Sequence, residues 1–554
     1  MPQYLRFIPL GGLGDIGRNM ALFEYGHNIL IVDAGVMFPE NDMLGIDLVI
    51  PNFEYLRDKK DWVRGIVISH GHEDHTGALP FLLQEIEAPI YSTRLVNALI
   101  DHKLKEKLGR RHKVALHDVT PGEDFRLGPF HIHTVPLTHS IPDSMALAID
   151  TPVGRVIHSG DFKIDYTPPG GGGPNLSRLA ALAAEGVLAL FADSTGAERT
   201  GFTPSEKTLE PAFDQIMRAA PGRVIIASFA SQLYRLQLII DIAHRYGRKV
   251  AIAGRSMEQN FETARRLGYL HVPKGAYVRL PTALKMPPEQ VTLLITGSQG
   301  QPEAALARMA ANRHREIALS PQDTVIISAS PIPGNEEVVG RMINQLVDRG
   351  VEVIYPPIAH VHVSGHASQE EMKLLLSLVH PRFFVPVHGE PRHLHLHARL
   401  AESMGIPRER IIRLRDGDVL ELGPERAAVV EHVPGDYVFV DGSGVGDVGP
   451  QVLRERDVLA RDGFVAAIIP LRKDTRELAS APQVITRGVI YKDQSDATLT
   501  EAEAVLLDAV QRSKKNRNAL KSAAIDALSR YFYKNTRRNP LIEPVIVEID
   551  TSGQ

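Results

Sequence analysis

The chain contains no cysteine. That absence excludes disulfides, thiolate zinc fingers and cysteine nucleophiles, and it fits a reducing compartment. Also missing is any apolar run of the ~20 residues needed to cross a bilayer. The opening segment MPQYLRFIPL has no basic stretch leading into a long apolar one. Both absences point to the cytoplasm. Neither sign of charge is in clear excess: 62 Lys and Arg against 66 Asp and Glu leave a net of -4. Nothing therefore draws the whole molecule to nucleic acid, and any basic binding surface must be local.

What is present is an ordinary globular composition, 44% hydrophobic and 23% charged over 554 residues. That length suffices for roughly two to four domains, each with its own core. One stretch stands out. Directly after the apolar run Val63 to Ser69, which reads as a buried strand, come His70, His72, Asp74 and His75. Imidazole and carboxylate donors without thiolate suit zinc or manganese in a hydrolytic site. On an irregular turn His70 and His72 can face one way and Asp74 and His75 another, so one loop can serve two neighbouring cations. That is the arrangement two-metal phosphoester chemistry requires. The pattern His-x-His-x-Asp-His after a strand resembles the signature of the metallo-β-lactamase superfamily.

The N-terminal Gly12-x-Gly14-x-x-Gly17, with Asp33 further on, imitates a dinucleotide-binding fingerprint. A helix would have to follow. Asn19 to Tyr25 and Asn28 to Asp33 read instead as two short strands joined at Gly26 and His27, so the glycines are turn residues. Asp33 then reads either as a carboxylate orienting a metal-held histidine or as a turn cap. Phe130 to Pro136 reads as a strand delivering His139, and Arg155 to Asp161 as another ending in a carboxylate. His131, His133 and His158 fall inside strand patterns and read as structural. A flexible connector, Thr167 to Pro174, precedes the strand Gly186 to Ala192, which ends at Asp193.

From about Pro204 to Pro356 helices alternate with short apolar strands beginning near Val224, Val250, Thr292, Thr324 and Val351. This predicts a parallel sheet with covering helices. The loops Ser228 to Gln232, Gly297 to Gly300 and Ser330 to Gly334 fall at its carboxyl strand ends, where free backbone N–H groups can hold phosphates. Then come His360, His362, Ser364, Gly365 and His366, a helix from about Gln369, and His388 after another strand. Asp193, His366 and His388 match the extra motifs of the β-CASP group, the nucleic-acid-processing branch of that superfamily. His393, His395 and His397 read as helix surface, because residues two apart diverge on a helix.

A small C-terminal unit follows, with strands near Gly463 to Ile469, Gln483 to Tyr491 and Glu543 to Ile549, and helices near Thr500 to Gln511 and Asn516 to Tyr533. Between Gln511 and Arg538 nine Lys and Arg stand against one acid, Asp526. This stretch suits either RNA backbone or a solvated helix face.

Over its whole length the chain resembles the bacterial ribonuclease J family. The resemblance implies an α/β fold: a metallo-β-lactamase αββα sandwich with an inserted β-CASP α/β domain and a small C-terminal α+β domain. The expected boundaries are 1–203 and 358–425 for the sandwich, 204–357 for the insertion, 426–450 for a linker and 451–554 for the last domain. It implies two divalent metal ions, Zn2+ or Mn2+, one on His70, His72, His139 and Asp161, the other on Asp74, His75, Asp161 and His388. A hydroxide shared by the cations would attack phosphorus in line, with Asp74 orienting it and His366 serving the leaving 3′-oxygen. Asp33 and Asp193 would support the ligands from behind.

The resemblance further implies 5′-to-3′ exonuclease and endonuclease activity on single-stranded RNA in RNA maturation and decay. A 5′-monophosphate would be preferred, and the products would carry 5′-phosphate and 3′-hydroxyl ends. Ser231, Gln232 and Leu233, with His362, Val363, Ser364, Gly365 and His366, match its substrate-contacting segments. Homodimers or homotetramers are implied, together with RNA-decay partner proteins and no membrane association. A further structural Ca2+ or Mn2+ near Gly45, Asp47 and Asp441 is suggested, against the plainer reading of surface acids. A β-CASP DNA nuclease of the repair type would share every catalytic residue. A small-molecule hydrolase would need neither the insertion nor the His366 and His388 motifs, and a metal-free binding protein would have no use for the complete ligand set.

Overall fold

The computed structural model describes residues 4–109, 114–490, 495–513 and 516–550. Lys514 and Lys515 of the basic stretch, and Tyr491 at the end of an expected strand, lie outside the described residues. The chain forms two compact units, Met1–Glu40 with Leu48–Val438, and Asn41–Asp47 with Phe439–Gln554.

The larger unit is built on two sheets. One has eight strands in the order Ala427–His432, Asp418–Leu422, Leu5–Gly11, Met20–Glu24, Ile29–Val32, Val63–Val67, Ile90–Ser92 and Leu116–Asp118. Its central strands are apolar nearly throughout because both faces are covered. The glycine-rich segment after Leu5–Gly11 leads into the antiparallel strand Met20–Glu24, not a helix, as the sequence predicts. The second sheet has six strands: Phe383–Val387, Ala189–Asp193, Gly154–His158, Met145–Thr151, Phe130–Pro136 and Asp124–Leu127.

The two sheets meet on a shared core. Phe7 of the first stacks on Phe191 of the second at 4.0 Å between ring centroids, and Phe23 meets Phe191 edge-on at 5.4 Å. Such offset and edge contacts suit the charge distribution of aromatic rings. On the outer face of the second sheet, the helices Leu176–Ala183, Gln369–Val379 and Pro391–Ser403 bury Leu179, Met372 and Ala401 against Ile157, Leu190 and Phe384. Arg94–Leu108 lies along Ile90–Ser92 and Leu116–Asp118 of the first sheet. The result is the αββα sandwich. Ala427–His432, within the segment expected as linker, pairs with Asp418–Leu422.

Between Ala189–Asp193 and Phe383–Val387 the chain makes the inserted domain. Its five strands are all parallel, in the order Lys249–Ala253, Val291–Ile295, Val224–Ala227, Thr324–Ile327 and Glu352–Ile354. Apolar clusters cover both faces of this sheet. The insertion returns the chain beside the strand it left: Ala189–Asp193 and Phe383–Val387 run parallel with Asp193 opposite Val387. That register sets Asp193 next to His388.

In the smaller unit, Phe464–Arg472 is flanked by antiparallel Gln483–Arg487 and parallel Leu541–Ile549. Leu506 of Ser495–Arg512 and Leu520, Leu528 and Phe532 of Arg517–Thr536 pack on the sheet residues Val465, Ala467 and Ile469.

Candidate metal centre

Four parallel or returning strands deliver the site from their ends. Val63–Val67 runs into Ser69 and His70, and the short helix Glu73–Thr76 then turns Asp74 and His75 back toward the sheet, with His72 as its N-cap. Asp33, just past Ile29–Val32, has φ +62, a left-handed conformation that short polar side chains tolerate best among non-glycine residues. From there its buried carboxylate accepts three hydrogen bonds: Ser69 N at 2.7 Å and Ser69 Oγ at 2.8 Å, and His75 Nδ1 at 2.7 Å. Carboxylate acceptance keeps a proton on His75 Nδ1, so that the neutral ring presents its Nε2 lone pair to the site.

Ligand atoms converge in two groups. His70 Nε2 and His139 Nε2 lie 3.2 and 3.1 Å from His72 Nδ1, and 3.6 and 3.8 Å from Asp161 Oδ2. Asp74 Oδ2 lies 3.5 Å from His75 Nε2 and 3.4 Å from His388 Nε2. Those two nitrogens stand 3.3 and 3.8 Å from Asp161 Oδ1. Asp161 therefore gives one oxygen to each group. Its Oδ2 is buried and has no hydrogen-bond partner, an arrangement that costs a few kcal/mol in a protein interior unless a cation completes it. All seven side chains of the two groups are nitrogen or oxygen donors, five of them buried and His72 and Asp74 partly exposed, and no thiol is present. The donor set is compatible with divalent metal ions.

The titration behaviour follows from the same crowding. Burial, reinforced by neighbouring histidines, pushes His70 and His139 well below the ordinary imidazole value and His72 down to about 4. Burial works the same way on His75 and His388, but Asp161, aided by Asp74, Asp33 and Asp193, overrides it and holds both well above. Burial would raise Asp161, yet His388, His75 and His70 keep it well below the usual carboxylate range. Without metal, the histidines of one donor group are thus held low and those of the other held high.

Behind the ligands, Asp193 spans two histidines. Its Oδ2 faces His366 Nδ1 at 2.7 Å and its Oδ1 faces His388 Nδ1 at 3.3 Å. His388 has φ +54 and is further held by Thr195 Oγ1 at 2.6 Å. His366 is one-fifth exposed, with Nε2 on the side away from Asp193. His139 Nδ1 donates to the Gly365 carbonyl at 2.7 Å, which ties the sandwich to the segment His362 to His366. A Cβ at position 365 would fall 2.6 Å from His139 Cε1, so only glycine fits there.

The other expected residues are placed as follows. Gln232 caps the helix Leu233–Arg245 and accepts from Ser228 Oγ, Ser231 precedes it, and the Leu233 side chain is core beside Val361 and Val363. Val361, Val363 and Gly365 are buried while His362, Ser364 and His366 are partly exposed. In the smaller unit, Asp47 accepts from Gly442 N, and the Arg456 guanidinium reaches both Asp441 and the Leu44 carbonyl, 2.7 Å from where a Gly45 Cβ would stand. His158 accepts from Gly160 N. His393 and His397, expected on a helix surface, are buried: they are four apart and share the inward face, with His397 Nδ1 3.0 Å from Ser194 Oγ. Only His395 points outward.

Sequence reasoning passed over Asn19, whose Nδ2 lies 3.1 Å from both the Asp74 carbonyl and His75 Nε2, and Thr195. Neither carries a spacing signal, since each acts through residues distant in the chain.

Four protein-family models match: the beta-lactamase superfamily domain over residues 27–170, the ribonuclease J beta-CASP domain over 221–346, the Zn-dependent metallo-hydrolase RNA specificity domain over 350–410 and the ribonuclease J C-terminal domain over 451–549. Ribonuclease J 1 of Streptococcus pyogenes serotype M3 is 42% identical over 99% of this chain and 98% of its own length. The chain belongs to the ribonuclease J family. Ribonuclease J of Thermus thermophilus is likewise 42% identical, over 99% of this chain and 96% of its own, and ribonuclease J2 of Bacillus subtilis is 38% identical over 99% of both. Among solved structures, a protein of unknown function from Enterococcus faecalis V583 shares the fold, with a TM-score of 0.51 at 15% identity over 76% of this chain and all of that one. No helix among the described residues is long and apolar enough to cross a membrane.

Proposed function

We propose that this member of the ribonuclease J family hydrolyses single-stranded RNA from a 5′-monophosphorylated end and also cuts internally, leaving 5′-phosphate and 3′-hydroxyl products. The observation that carries the reading is Asp161, whose two oxygens serve separate donor groups and whose Oδ2 is otherwise orphaned. His70, His72, His139 and Asp161 would hold one zinc or manganese ion, and Asp74, His75, Asp161 and His388 the other. Bound there, the pair would acidify a water and neutralise charge on the scissile phosphate.

The chain's own residues do the rest. Asp33 and Asp193 hold His75 and His388 with Nε2 inward. Asp74, with a side chain 29% exposed, is the one carboxylate of the site open to the cleft and so orients the attacking water and takes up its proton. The water oxygen bonds to phosphorus as the bond to the 3′-oxygen breaks. His366, its Nδ1 pinned by Asp193, presents Nε2 to that oxygen and supplies the proton it needs. Ser231, Gln232 and Leu233 would guide the strand through backbone and polar groups, and His362 to His366 through their exposed side chains. The reading includes the domain limits given above, a dimer or tetramer in the cytoplasm, and work beside other RNA-decay proteins.

The test is a time course on end-labelled single-stranded RNA carrying 5′-monophosphate, 5′-triphosphate or 5′-hydroxyl, beside matched DNA, with zinc and manganese supplied in turn. Mononucleotide release from monophosphorylated RNA is expected, abolished by Asp74→Ala and reduced roughly 10²–10⁴-fold by His366→Ala, the usual worth of a general acid. Equal or faster cleavage of DNA, or unchanged rates in both variants, would overturn it.

A further inference from the structure

Beneath the segment His362 to His366 lies a buried ion pair that the chemistry above does not use. Arg235 is fully buried, and its Nη2 and Nε form a fork on the Glu206 carboxylate at 2.8 to 3.2 Å. The remaining N–H groups reach across to the Ser328 carbonyl at 2.7 Å, the Val363 carbonyl at 3.2 Å and His362 Nδ1 at 2.7 Å. Ser328 Oγ in turn donates to the Val361 carbonyl at 2.7 Å. Arg235 thus anchors three consecutive residues, 361 by way of Ser328 and 362 and 363 directly.

A guanidinium has five donors and no acceptor and does not lose its proton in a protein. An Arg235 N–H at 2.7 Å from His362 Nδ1 therefore requires a lone pair on Nδ1. A neutral imidazole with Nδ1 free carries its proton on Nε2. His362, Ser364 and His366 are partly exposed while Val363 and Gly365 between them are buried, so these alternate residues share one open face of the segment. We propose that Arg235 is a positioning residue that locks His362 as a neutral Nε2–H donor, aimed at a non-bridging phosphate oxygen of the bound RNA. Recognition by this histidine is then a neutral hydrogen bond whose strength does not depend on protonating the ring. The arrangement agrees with the direction of its titration: burial and then Arg235 hold the ring well below the ordinary imidazole value, with the Ser328 carbonyl offsetting them only in part.

The proposal rests on the reading of His362 to His366 as part of the RNA-binding surface. Its test uses the full-length, metal-loaded protein and 5′-monophosphorylated single-stranded RNA. An asparagine amide oxygen occupies the place of Nδ1 and offers nothing at Nε2, whereas a glutamine amide nitrogen occupies the place of Nε2 and donates there. Loss of one hydrogen bond to a charged group predicts that KM rises about tenfold or more in His362→Asn and recovers to within about threefold in His362→Gln. In the unsubstituted protein KM should stay level from pH 6 to 8. In the paired variant Arg235→Met with Glu206→Gln, which leaves no lone charge buried, KM should rise across that range as the ring titrates.

Thermal unfolding of each variant separates a folding defect from a binding one, and the pH profile of the unsubstituted protein needs no variant at all. A KM that climbs as His362 deprotonates between pH 6 and 8, or equal KM values for His362→Asn and His362→Gln, overturns the proposal while RNA cleavage persists. Absence of RNA cleavage in the unsubstituted protein would instead overturn the functional reading beneath it.

Discussion

Replacing Asp33 with asparagine isolates the part of the centre that depends on one proton. The substitution keeps size and tolerates the same left-handed backbone, so strain does not enter. If the side-chain oxygen stays on Ser69 N, the new amide nitrogen faces Ser69 Oγ and His75 Nδ1, where Oδ2 stood at 2.8 and 2.7 Å. Ser69 Oγ can accept from that amide while it still accepts from His70 Nδ1–H, 3.1 Å away, so His70 keeps its Nε2 lone pair. His75 cannot turn, and must accept at Nδ1 and carry its proton on Nε2, toward Asp161 Oδ1 and Asp74 Oδ2. The second donor group then loses a lone pair and the first loses nothing. Loss of a carboxylate behind a metal-held histidine typically weakens affinity 10- to 100-fold. Equilibrium dialysis with zinc should therefore show one equivalent per chain at its original affinity and the other weakened by about that factor. Equal weakening of both equivalents, or less than about threefold on the second, would refute the reasoning that Asp33 acts through the His75 proton.

Two further outcomes follow from the same geometry. Gly365→Ala would drive its Cβ to 2.6 Å from His139 Cε1 and break the His139 Nδ1 hydrogen bond to the Gly365 carbonyl. RNA cleavage should fall at least about 100-fold, a misplacement effect at the reacting centre, with the unfolding midpoint little changed; wild-type turnover would show that the contact is not needed. In the metal-free protein His75 and His388 are held well above the ordinary imidazole value while His70, His72 and His139 lie below it. Raised groups must shed protons before they ligate, so the second equivalent should bind more tightly as pH rises from neutral and the first should not. Calorimetry in two buffers of different ionisation enthalpy checks this. Proton release on the first equivalent only would contradict it.

The raised and lowered groups also set opposite pH trends in the stability of the metal-free protein. His75 and His388 contribute stability below the ordinary imidazole value that is lost as pH climbs through their raised values. Asp161, held low, contributes above the ordinary carboxylate range and loses that only in strong acid. Metal-free protein should thus unfold at lower temperature when taken well above neutral pH, and metal should remove the trend.

Much of the centre is legible in the chain because its signature is local. His70, His72, Asp74 and His75 are close neighbours in the chain, and their residue types suit divalent metal ions. His139, Asp161, His366 and His388 are legible for a second reason: each follows an apolar strand or motif in an order that the family pattern supplies. Strand alternation likewise marks the parallel inserted sheet and the hairpin that overrules the glycine fingerprint at Gly12 to Gly17. His393 and His397 were misjudged as surface because spacing of two hid the spacing of four, which puts them on one inward face.

Pairings between distant residues required the folded chain. His139 and Gly365 stand 226 positions apart, Arg235 and His362 127, and Asp193 and His366 173. Each is a hydrogen bond between segments that only the folded chain brings together, and no local propensity encodes it. Sequence by itself determined which atoms can ligate and donate, because that is a property of side-chain type. Tertiary structure decided which nitrogen of each imidazole bears the proton and which oxygen of Asp161 serves which donor group, because those are set by partners that only packing brings within about 3 Å.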